Sequence, residues 1–306
     1  EWVAYTTTML AFRTDFLRAQ SYVDSVQDLN SLSRLMLLAG EKLYTPSSSF
    51  LTQTNPLTSA VQARFLRASG SFGDVSVYSG ASLSVDTDSG TVTYEIFELD
   101  ENLRPMYSDV MSTIPKTFVV INKGFVNSDP PKGLVFPSTP SSPWLLIEGV
   151  SHVESFISDG SPDQLFELSY FPIITDYVNG YRTTVHIVYD TVQAFVDTEW
   201  EEVDNLLHSE STDKHYELEW DGTFRAKLKF GNGIFGTIPP RGSNIRVSYR
   251  VGGGPTKRLH SGKLAHTVNA FDSQGQTYVT LTNLVPTIGG GSGDTLLKAK
   301  AYYGPR

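Results

Sequence analysis

Cysteine is absent from this 306-residue chain. Its absence excludes a disulfide framework, a thiol nucleophile and a thiolate metal site. Long apolar runs are missing as well, because no stretch approaches the ~18 residues that a membrane-spanning helix needs. The sequence begins at Glu1 without a basic segment followed by an apolar one, so it predicts no signal peptide. We expect this start to reflect processing or a missing piece of chain.

Basic residues are in the minority, with 24 Lys and Arg against 33 Asp and Glu, for a net charge of −9. A surface of that sign repels phosphate backbones and anionic lipids, which argues against nucleic-acid and membrane partners. Aromatic residues make up 12%, and together with 25 Gly and 16 Pro they favour short strands joined by tight turns. The length fits two or three domains.

The N-terminal region has a helical pattern. Apolar residues recur at spacings of three and four, at Met9, Phe12, Phe16, Ala19, Val23 and Val26. The pattern fits an amphipathic helix on its own domain or a seam to a second chain, and the narrow stripe favours the seam. A further apolar segment, 32–39, stops at Gly40, and the pair Asn55-Pro56 predicts the start of another helix over 57–69.

After Gly70 the apolar period changes from 3.6 to 2, which is typical of strands. The predicted strands are 75–78, 83–85, 92–97, 118–121, 145–147, 166–170, 183–189 (in the centre of a sheet), 200–203 and 244–251. We therefore predict an α+β fold, with an N-terminal helical segment followed by two mainly antiparallel β domains. The predicted boundaries are 1–70 for the helical segment, 71–148 and 149–285 for the β domains, and 286–306 for the start of a further segment.

The clearest local pattern is a hairpin over 216–230. Its predicted buried residues are Tyr216, Leu218, Trp220, Phe224, Ala226, Leu228 and Phe230, which alternate with the charged residues Glu217, Glu219, Arg225, Lys227 and Lys229. A two-residue turn would put an acid on the apolar face. We therefore predict a three-residue closure over 221–223, which pairs Trp220 with Phe224 and sets both acids against basic residues on the solvent face. The following strand, 244–251, is expected to point Ile245, Val247, Tyr249 and Val251 inward.

Known catalytic motifs are missing. The six histidines form no H-E-x-x-H, and neither a nucleophile elbow nor a phosphate-binding P-loop occurs. The acidic clusters 98–101 and 199–202 flank strands and are interpreted as solvated faces, whereas a glycosidase needs two carboxylates across a cleft. Trp144, Trp200 and Trp220 have apolar neighbours, which favours core burial over a sugar-stacking platform. We predict no metal, cofactor or catalytic residue.

A glycine-rich loop follows the hairpin at Phe230-Gly231-Asn232-Gly233-Ile234-Phe235-Gly236. The glycines indicate a turn whose backbone takes positive φ at one or more positions. A phosphate cradle is the alternative, but it would need a Lys, Ser or Thr in place and a following helix. We predict an architectural loop.

This loop opens a longer motif that resembles the baseplate J-like family. The run from Lys229 continues through Pro239-Pro240-Arg241-Gly242, Ile245-Arg246-Val247-Ser248-Tyr249-Arg250 and Gly252-Gly253-Gly254. Family members carry F-G-[DN]-G, then P-x-x-G, then I-x-V-x-Y-R-x-G-G-G at the same spacing. The structural motif residues carried over are Phe230, Gly231, Asn232, Gly233, Gly236, Pro239, Gly242, Tyr249, Gly252, Gly253 and Gly254.

Flanking segments extend the resemblance over about residues 150–300. Residues 160–166 (Gly-Ser-Pro-Asp-Gln-Leu-Phe) are similar to the family's G-x-P-N-Q-x-F, and residues 200–203 to its W-x-x-V. Asn283, Gly289 to Gly291 and Asp294 are similar to its N…G-G-x-D segment. Two departures stand out: Pro255-Thr256-Lys257 replaces the usual Gly-Asn pair, and residues 1–150 do not align with the family. Because family members continue into further domains, we expect the chain to be incomplete at Arg306.

The resemblance implies a structural wedge subunit in the baseplate of a contractile tail, in a phage virion or a related injection machine, assembled in the host cytoplasm. Its partners would be other copies of itself and other wedge proteins, in a hetero-oligomeric sixfold ring around the tail hub. Changes of the ring's shape would transmit the contraction trigger, and the helical stripe of Met9, Phe12, Phe16, Val23 and Val26 would contact a partner. The resemblance implies no catalysis and no cofactor. The alternative is a β-rich receptor- or carbohydrate-binding tail protein, which an exposed row of Trp and Tyr would favour.

Overall fold

The computed structural model describes residues 26–38, 43–53, 61–65, 70–72, 75–78, 80–87, 90–99, 117–121, 124–126, 134–135, 144–175, 177–178, 181–182, 186–191, 194–272 and 275–303. Two α-helices occur there, α1 (Leu29–Leu38) and α2 (Leu296–Tyr303). The strands of the first half are β1 (Pro46–Gln53), β2 (Val61–Phe65), β3 (Gly70–Phe72), β4 (Val75–Tyr78), β5 (Ala81–Thr87), β6 (Gly90–Glu98), β7 (Thr117–Ile121), β8 (Gly124–Val126), β9 (Leu134–Val135), β10 (Trp144–Glu148) and β11 (Val150–Ile157). Those of the second half are β12 (Leu165–Glu167), β13 (Tyr177–Val178), β14 (Tyr181–Arg182), β15 (His186–Thr191), β16 (Ala194–Glu199), β17 (Glu201–Glu202), β18 (His215–Trp220), β19 (Ala226–Phe230), β20 (Asn244–Val251), β21 (Ala265–Asp272), β22 (Gly275–Asn283) and β23 (Ile288–Ser292). The chain is therefore mostly β, with few helices.

Four larger sheets organise these strands. Sheet I has the order β23-β1-β10-β6-β5, sheet II β11-β20-β15-β16, sheet III β12-β19-β18-β17 and sheet IV β7-β4-β21-β22-β2-β9. Apart from the short parallel pair of β17 with β18, the described strand pairs in these sheets are antiparallel. The strand predicted to be central, β15, does lie between two neighbours in sheet II. No helix in the described ranges combines the length and apolarity needed to cross a membrane.

The sheets cross the predicted domain boundaries. In sheet I, Ser47 of β1 pairs with Gly291 of β23, so residues near both ends of the chain share one sheet. In sheet IV, β2 pairs with β22, where Val61 faces Asn283. The helix predicted over 57–69 is therefore wrong for Val61–Phe65, because neighbouring strands satisfy that backbone on both sides. Segment 1–70 is only partly helical, and segment 286–306 begins with a strand of sheet I.

Sheets II and III share one apolar core. The buried side chains of β20 (Ile245, Val247 and Tyr249) lie in the same cluster as those of β18 and β19. The inward alternation predicted for 244–251 is confirmed for these three residues, while Val251 is half-buried. Trp200 and Trp220 belong to this cluster and Trp144 is buried in sheet I, which confirms their assignment to core positions.

The hairpin of β18 and β19 has the predicted faces but a different register. Trp220, Phe224, Leu228 and Phe230 are buried, as predicted, and Lys227 lies on the outer face. Trp220 pairs with Ala226 and not with Phe224. The closure still spans three residues but moves one residue along the chain, to 222–224, because the Asp221 carboxylate accepts the N–H groups of Thr223 and Arg225. The pairing therefore shifts by two residues, which keeps every side chain on its predicted face.

Helix α1 explains the second difference in the hairpin. Glu217 was expected on the solvent face but is buried, because Arg34 of α1 covers it with a side-chain contact of 3.1 Å. Asp28 begins the helix, accepting the N–H of Ser31 at 2.7 Å. The apolar segment predicted over 32–39 is thus helical through Leu38.

Of the helical stripe predicted to contact a partner, the structure describes one residue, Val26. Met9, Phe12, Phe16 and Val23 lie outside the described residues. Val26 is fully buried in a cluster with Leu32 and Met36 of α1 and Ala299 of α2. Because the chain itself covers Val26, the assignment of this residue to a partner contact is wrong.

Candidate functional site

The glycine loop after β19 is a compact turn. Gly233 and Gly236 have φ of 86° and 76°, which confirms the predicted positive φ. The Asn232 carbonyl Oδ1 accepts the N–H groups of Ile234 (3.0 Å) and Phe235 (2.9 Å), which closes the turn. A Cβ added to Gly231 would overlap the backbone of Gly236. These positions therefore require glycine for backbone geometry.

The N–H groups of this loop are already used by the protein. Gly233 donates to the Gly236 carbonyl at 2.9 Å, and Gly236 donates to the Glu210 carbonyl at 3.1 Å. Thr237 donates to the Asp213 carbonyl at 2.8 Å. A phosphate cradle needs free N–H groups pointing at the ligand, so the loop's geometry favours the architectural interpretation.

Segment 158–164 ties the loop's far end to β11. The Ser158 hydroxyl donates to the Pro239 carbonyl at 2.8 Å, and the Gly242 N–H donates to the Ser158 carbonyl at 2.7 Å. The buried Gln164 side chain accepts from Ser158 and donates to the Ser161 carbonyl. The polar residues of both motif segments therefore bond to each other.

At the end of β20, Arg250 links sheet II to sheet I. Its side chain is buried and ion-paired with Glu95 of β6, and it donates to the carbonyls of Ile147 (3.3 Å) and Glu148 (3.2 Å) of β10. Its guanidinium also lies 5.1 Å from the centre of the Phe97 ring. Arg250 is thus held by charge, hydrogen bonds and packing together.

Glycines continue this contact beyond Arg250. A Cβ on Gly252 would lie 2.6 Å from Glu148 Oε1, so a larger residue there would displace the carboxylate. The Gly253 N–H donates to Glu148 Oε2 at 2.8 Å, and Lys257 Nζ lies 3.3 Å from Oε1. We call Glu95, Glu148, Arg250, Gly252, Gly253 and Lys257 the joint. Lys257, where the sequence departs from the family pattern, thus supplies the cation that pairs with Glu148.

Burial governs the electrostatics of the joint. Glu148 is only 1% exposed, and desolvation raises the pKa of its carboxyl group above its ordinary value. The charge of Lys257, the N–H of Gly253 and the charge of Arg250 oppose that rise. Burial likewise raises the pKa of the Tyr249 hydroxyl, which accepts a hydrogen bond from the Tyr170 N–H at 3.2 Å.

The C-terminal motif residues also have structural contacts. Asn283 is fully buried; its Oδ1 accepts the Leu264 N–H and its amide donates to the carbonyls of His260 and Val285. Gly289 and Gly291 pair with Ser49 and Ser47 of β1. The Asp294 N–H donates to the Tyr44 carbonyl at 2.8 Å. These contacts attach the end of the motif to β1 and its preceding turn.

Sequence reasoning found the glycines of the motif but not their partners. Glu95, Glu148 and Lys257 were not among the predicted site residues, and Arg250 was noted only as part of the motif. One signal existed: Glu148 ends the apolar strand β10, whereas Arg250 keeps the polar–apolar alternation of β20 and is exceptional only in being buried. That signal does not predict that the two residues meet.

A shallow cleft of about 350 Å³ lies beside the start of β18 and is lined by His215 and by residues between 202 and 209, among them Glu202, Asp204, His208 and Ser209. The Ser209 hydroxyl is 2.8 Å from His215 Nδ1, but His215 Nε2 is 3.8 Å from the nearest Glu201 oxygen. That distance exceeds hydrogen-bond length, so the arrangement lacks the acid contact of a catalytic triad. Within the described ranges, no three His, Asp or Glu side chains are grouped as metal ligands.

Two comparisons with known proteins give the same result. A scan against models of protein families finds no match, and a search of curated proteins finds none either.

Proposed function

We propose that the chain is a structural subunit of a contractile-tail baseplate wedge, which builds the ring around the tail hub and transmits the contraction trigger. The observation that carries the proposal is the joint. The segment that resembles the baseplate J-like family is the one that locks sheet II onto sheet I, through Arg250 and the glycines after it. The same proposal includes the structural role of the motif residues, the partner subunits of the ring and the location in the virion.

A ring that transmits a change of shape needs subunits that move without bending internally. A close-packed interior has low compressibility and passes strain on, and hydrogen bonds within a buried, low-dielectric site are electrostatically stronger than those in water. At the joint, Arg250 has four hydrogen-bonded partners on three different strands or turns. These bonds connect β6, β10 and β11, which supports a subunit whose two sheets move together.

The receptor- or carbohydrate-binding alternative is supported by one exposed aromatic pair. Tyr170 is 49% exposed and stacks on His152 at 4.0 Å, while Phe171, 41% exposed, lies beneath the Arg225 guanidinium at 4.2 Å. Against it, Trp144, Trp200 and Trp220 are buried, so none of the tryptophans that the structure describes is available to stack on a sugar. The wedge proposal therefore has the better support.

Deletion of the gene in the particle-producing strain, followed by electron microscopy, tests the proposal. We expect tubes or tails without baseplates, restored by the wild-type chain but not by Arg250→Met. Immunogold labelling of the complemented particles should fall on the baseplate end of the tail. Complete, contractile particles without the chain would overturn the proposal. Normal particles that fail only in adsorption, with label at the fibre tips, would favour the alternative.

A further inference from the structure

Strand β11 is an edge strand with one open side. It pairs with β20 in sheet II, from Val150 with Val251 to Ile157 with Asn244, and among the strands that the structure describes it has no other neighbour in that sheet. Exposed edge strands present unpaired N–H and C=O groups and are usually protected by Lys, Pro or bulges. The sequence of β11, Val-Ser-His-Val-Glu-Ser-Phe-Ile, contains neither Lys nor Pro, and its register with β20 is continuous.

Hydrogen bonds at its ends show which residues point their backbone groups outward. Ser158, directly after the strand, donates its N–H to the Ser243 carbonyl, so even-numbered residues face β20. Ser151, with an odd number, donates its N–H away from β20 to Glu95. Because the pattern alternates along an antiparallel pair, Val153, Ser155 and Ile157 direct their backbone groups to the open side.

The side chains of these residues are exposed too. Val153 is 55% exposed and Ile157 is 65% exposed, and Ser155 between them is exposed as well. Val153 and Ile157 are thus two β-branched apolar side chains on the outer face of an unprotected edge. Pairing with another strand would cover them.

We infer that a second copy of this chain pairs with β11 edge to edge, antiparallel, about a twofold axis through Ser155. In this register Ser155 faces Ser155 of the second copy, and Val153 faces Ile157 of the second copy on the same side of the sheet. Val153, Ser155 and Ile157 each donate and accept one backbone hydrogen bond across the axis. Sheet II becomes continuous between the two copies, and all four exposed apolar side chains meet in cross-strand pairs.

Neighbouring registers are less favourable. An axis through Glu154 would set two carboxylates directly opposite each other, which destabilises a strand pair. An axis through Val153 would require the Ser151 N–H, which already donates to Glu95 at 2.9 Å. An axis through Phe156 would place Val153 of one copy opposite Asp159 of the other. The apolar side chain of Val153 would then contact a charged group. The axis through Ser155 avoids all three conflicts.

The inference adds to the proposed function a surface through which two copies associate. It rests on the proposed function because a wedge subunit must associate with its own copies. The edge geometry is independent of where the particle carries the chain. Solution self-association and particle localisation therefore test the two proposals separately.

Sedimentation velocity over a range of protein concentrations tests the pairing. The wild-type chain is expected to form a concentration-dependent dimer, which Ser155→Pro abolishes because proline removes the central N–H. Proline is tolerated on an edge strand where that N–H faces solvent, so the variant should keep the wild-type circular dichroism and melting temperature. Val153→Lys should also abolish the dimer. Leu165→Lys, on the neighbouring edge strand β12 and 48% exposed in the wild type, is the matched control and should dimerise normally.

Cross-linking locates the axis. Because the chain has no cysteine, Ser155→Cys introduces a single thiol, and a short bis-maleimide should join two copies efficiently. Leu165→Cys should give no comparable product. A chain that stays monomeric at all concentrations would overturn the inference, as would a dimer that persists unchanged in Ser155→Pro and Val153→Lys. A dimer that depends on β11 in a chain that labels no baseplate would uphold the inference and overturn the proposed function.

Discussion

The guanidinium of Arg250 is ion-paired with the carboxylate of Glu95 across 155 residues of sequence, and each side chain is 4% exposed. Removing one partner of a buried pair leaves an uncompensated charge, which costs about 3–5 kcal/mol. The pair therefore makes the attachment of sheet II to sheet I sensitive to single substitutions.

Replacing Arg250 by Met should lower the free energy of unfolding by about 3–5 kcal/mol, because Glu95 stays buried without its cation. Urea unfolding at neutral pH measures the change. The double variant Arg250→Met with Glu95→Leu should recover much of the loss, since it removes both charges. Arg241→Gln, at an exposed arginine, is the control and should change stability by no more than about 0.5 kcal/mol. Equal effects of Arg250→Met and Arg241→Gln would refute the role of the pair.

Replacing Gly231 by Val should destabilise the fold by about 1–3 kcal/mol through steric overlap. A side chain there would collide with the Gly236 backbone. Gly222→Ala is the matched control, because a Cβ at Gly222 meets nothing within 4 Å, and its melting temperature should stay close to wild type. If both variants melt at the wild-type temperature, the fold of the loop does not require glycine at position 231.

Glu148 should make stability depend on pH. Because burial raises the pKa of its carboxyl group, the folded state keeps a proton at a pH where the unfolded state has released it. The stabilisation is thus fully present below the unfolded pKa and is lost as pH rises through the folded pKa.

Melting temperatures of the wild type and of Glu148→Gln, measured from pH 4 to pH 8, test this. The wild type should lose stability relative to Glu148→Gln as pH rises through that window. Lys257→Met should move the window to higher pH, because the Lys257 charge lowers the pKa of Glu148. A stability difference that grows in the opposite direction would show that the carboxylate is stabilised, and not penalised, in the folded state.

Replacing Asp221 by Ala should destabilise the β18–β19 hairpin by about 1–2 kcal/mol. One oxygen of Asp221 accepts the N–H groups of Thr223 (2.7 Å) and Arg225 (3.0 Å), which determines where the turn closes. Asp221→Asn keeps a carbonyl oxygen at that place and should retain most of the stability. If Asn is as damaging as Ala in urea unfolding, these hydrogen bonds do not determine the turn.

The hairpin shows the limit of register prediction from sequence. The alternation of apolar and charged residues determined which face of β18 and β19 is buried, because side chains alternate strictly along a strand. It did not determine the pairing of Trp220 with Ala226, because a shift of two residues leaves every face unchanged. The side-chain hydrogen bonds of Asp221 select between the two registers.

What the sequence determined by itself was local: the strand-rich fold, the buried faces of the hairpin and of β20, and the need for glycine between Phe230 and Gly236. Those features depend on side-chain alternation and on φ, which neighbouring residues largely specify. Tertiary structure alone decided that Val61–Phe65 is a strand, that β1 pairs with β23, and that Glu95, Glu148 and Arg250 meet. These outcomes join residues far apart in the chain, and their stability comes from backbone pairing and burial that appear only once the sheets have assembled.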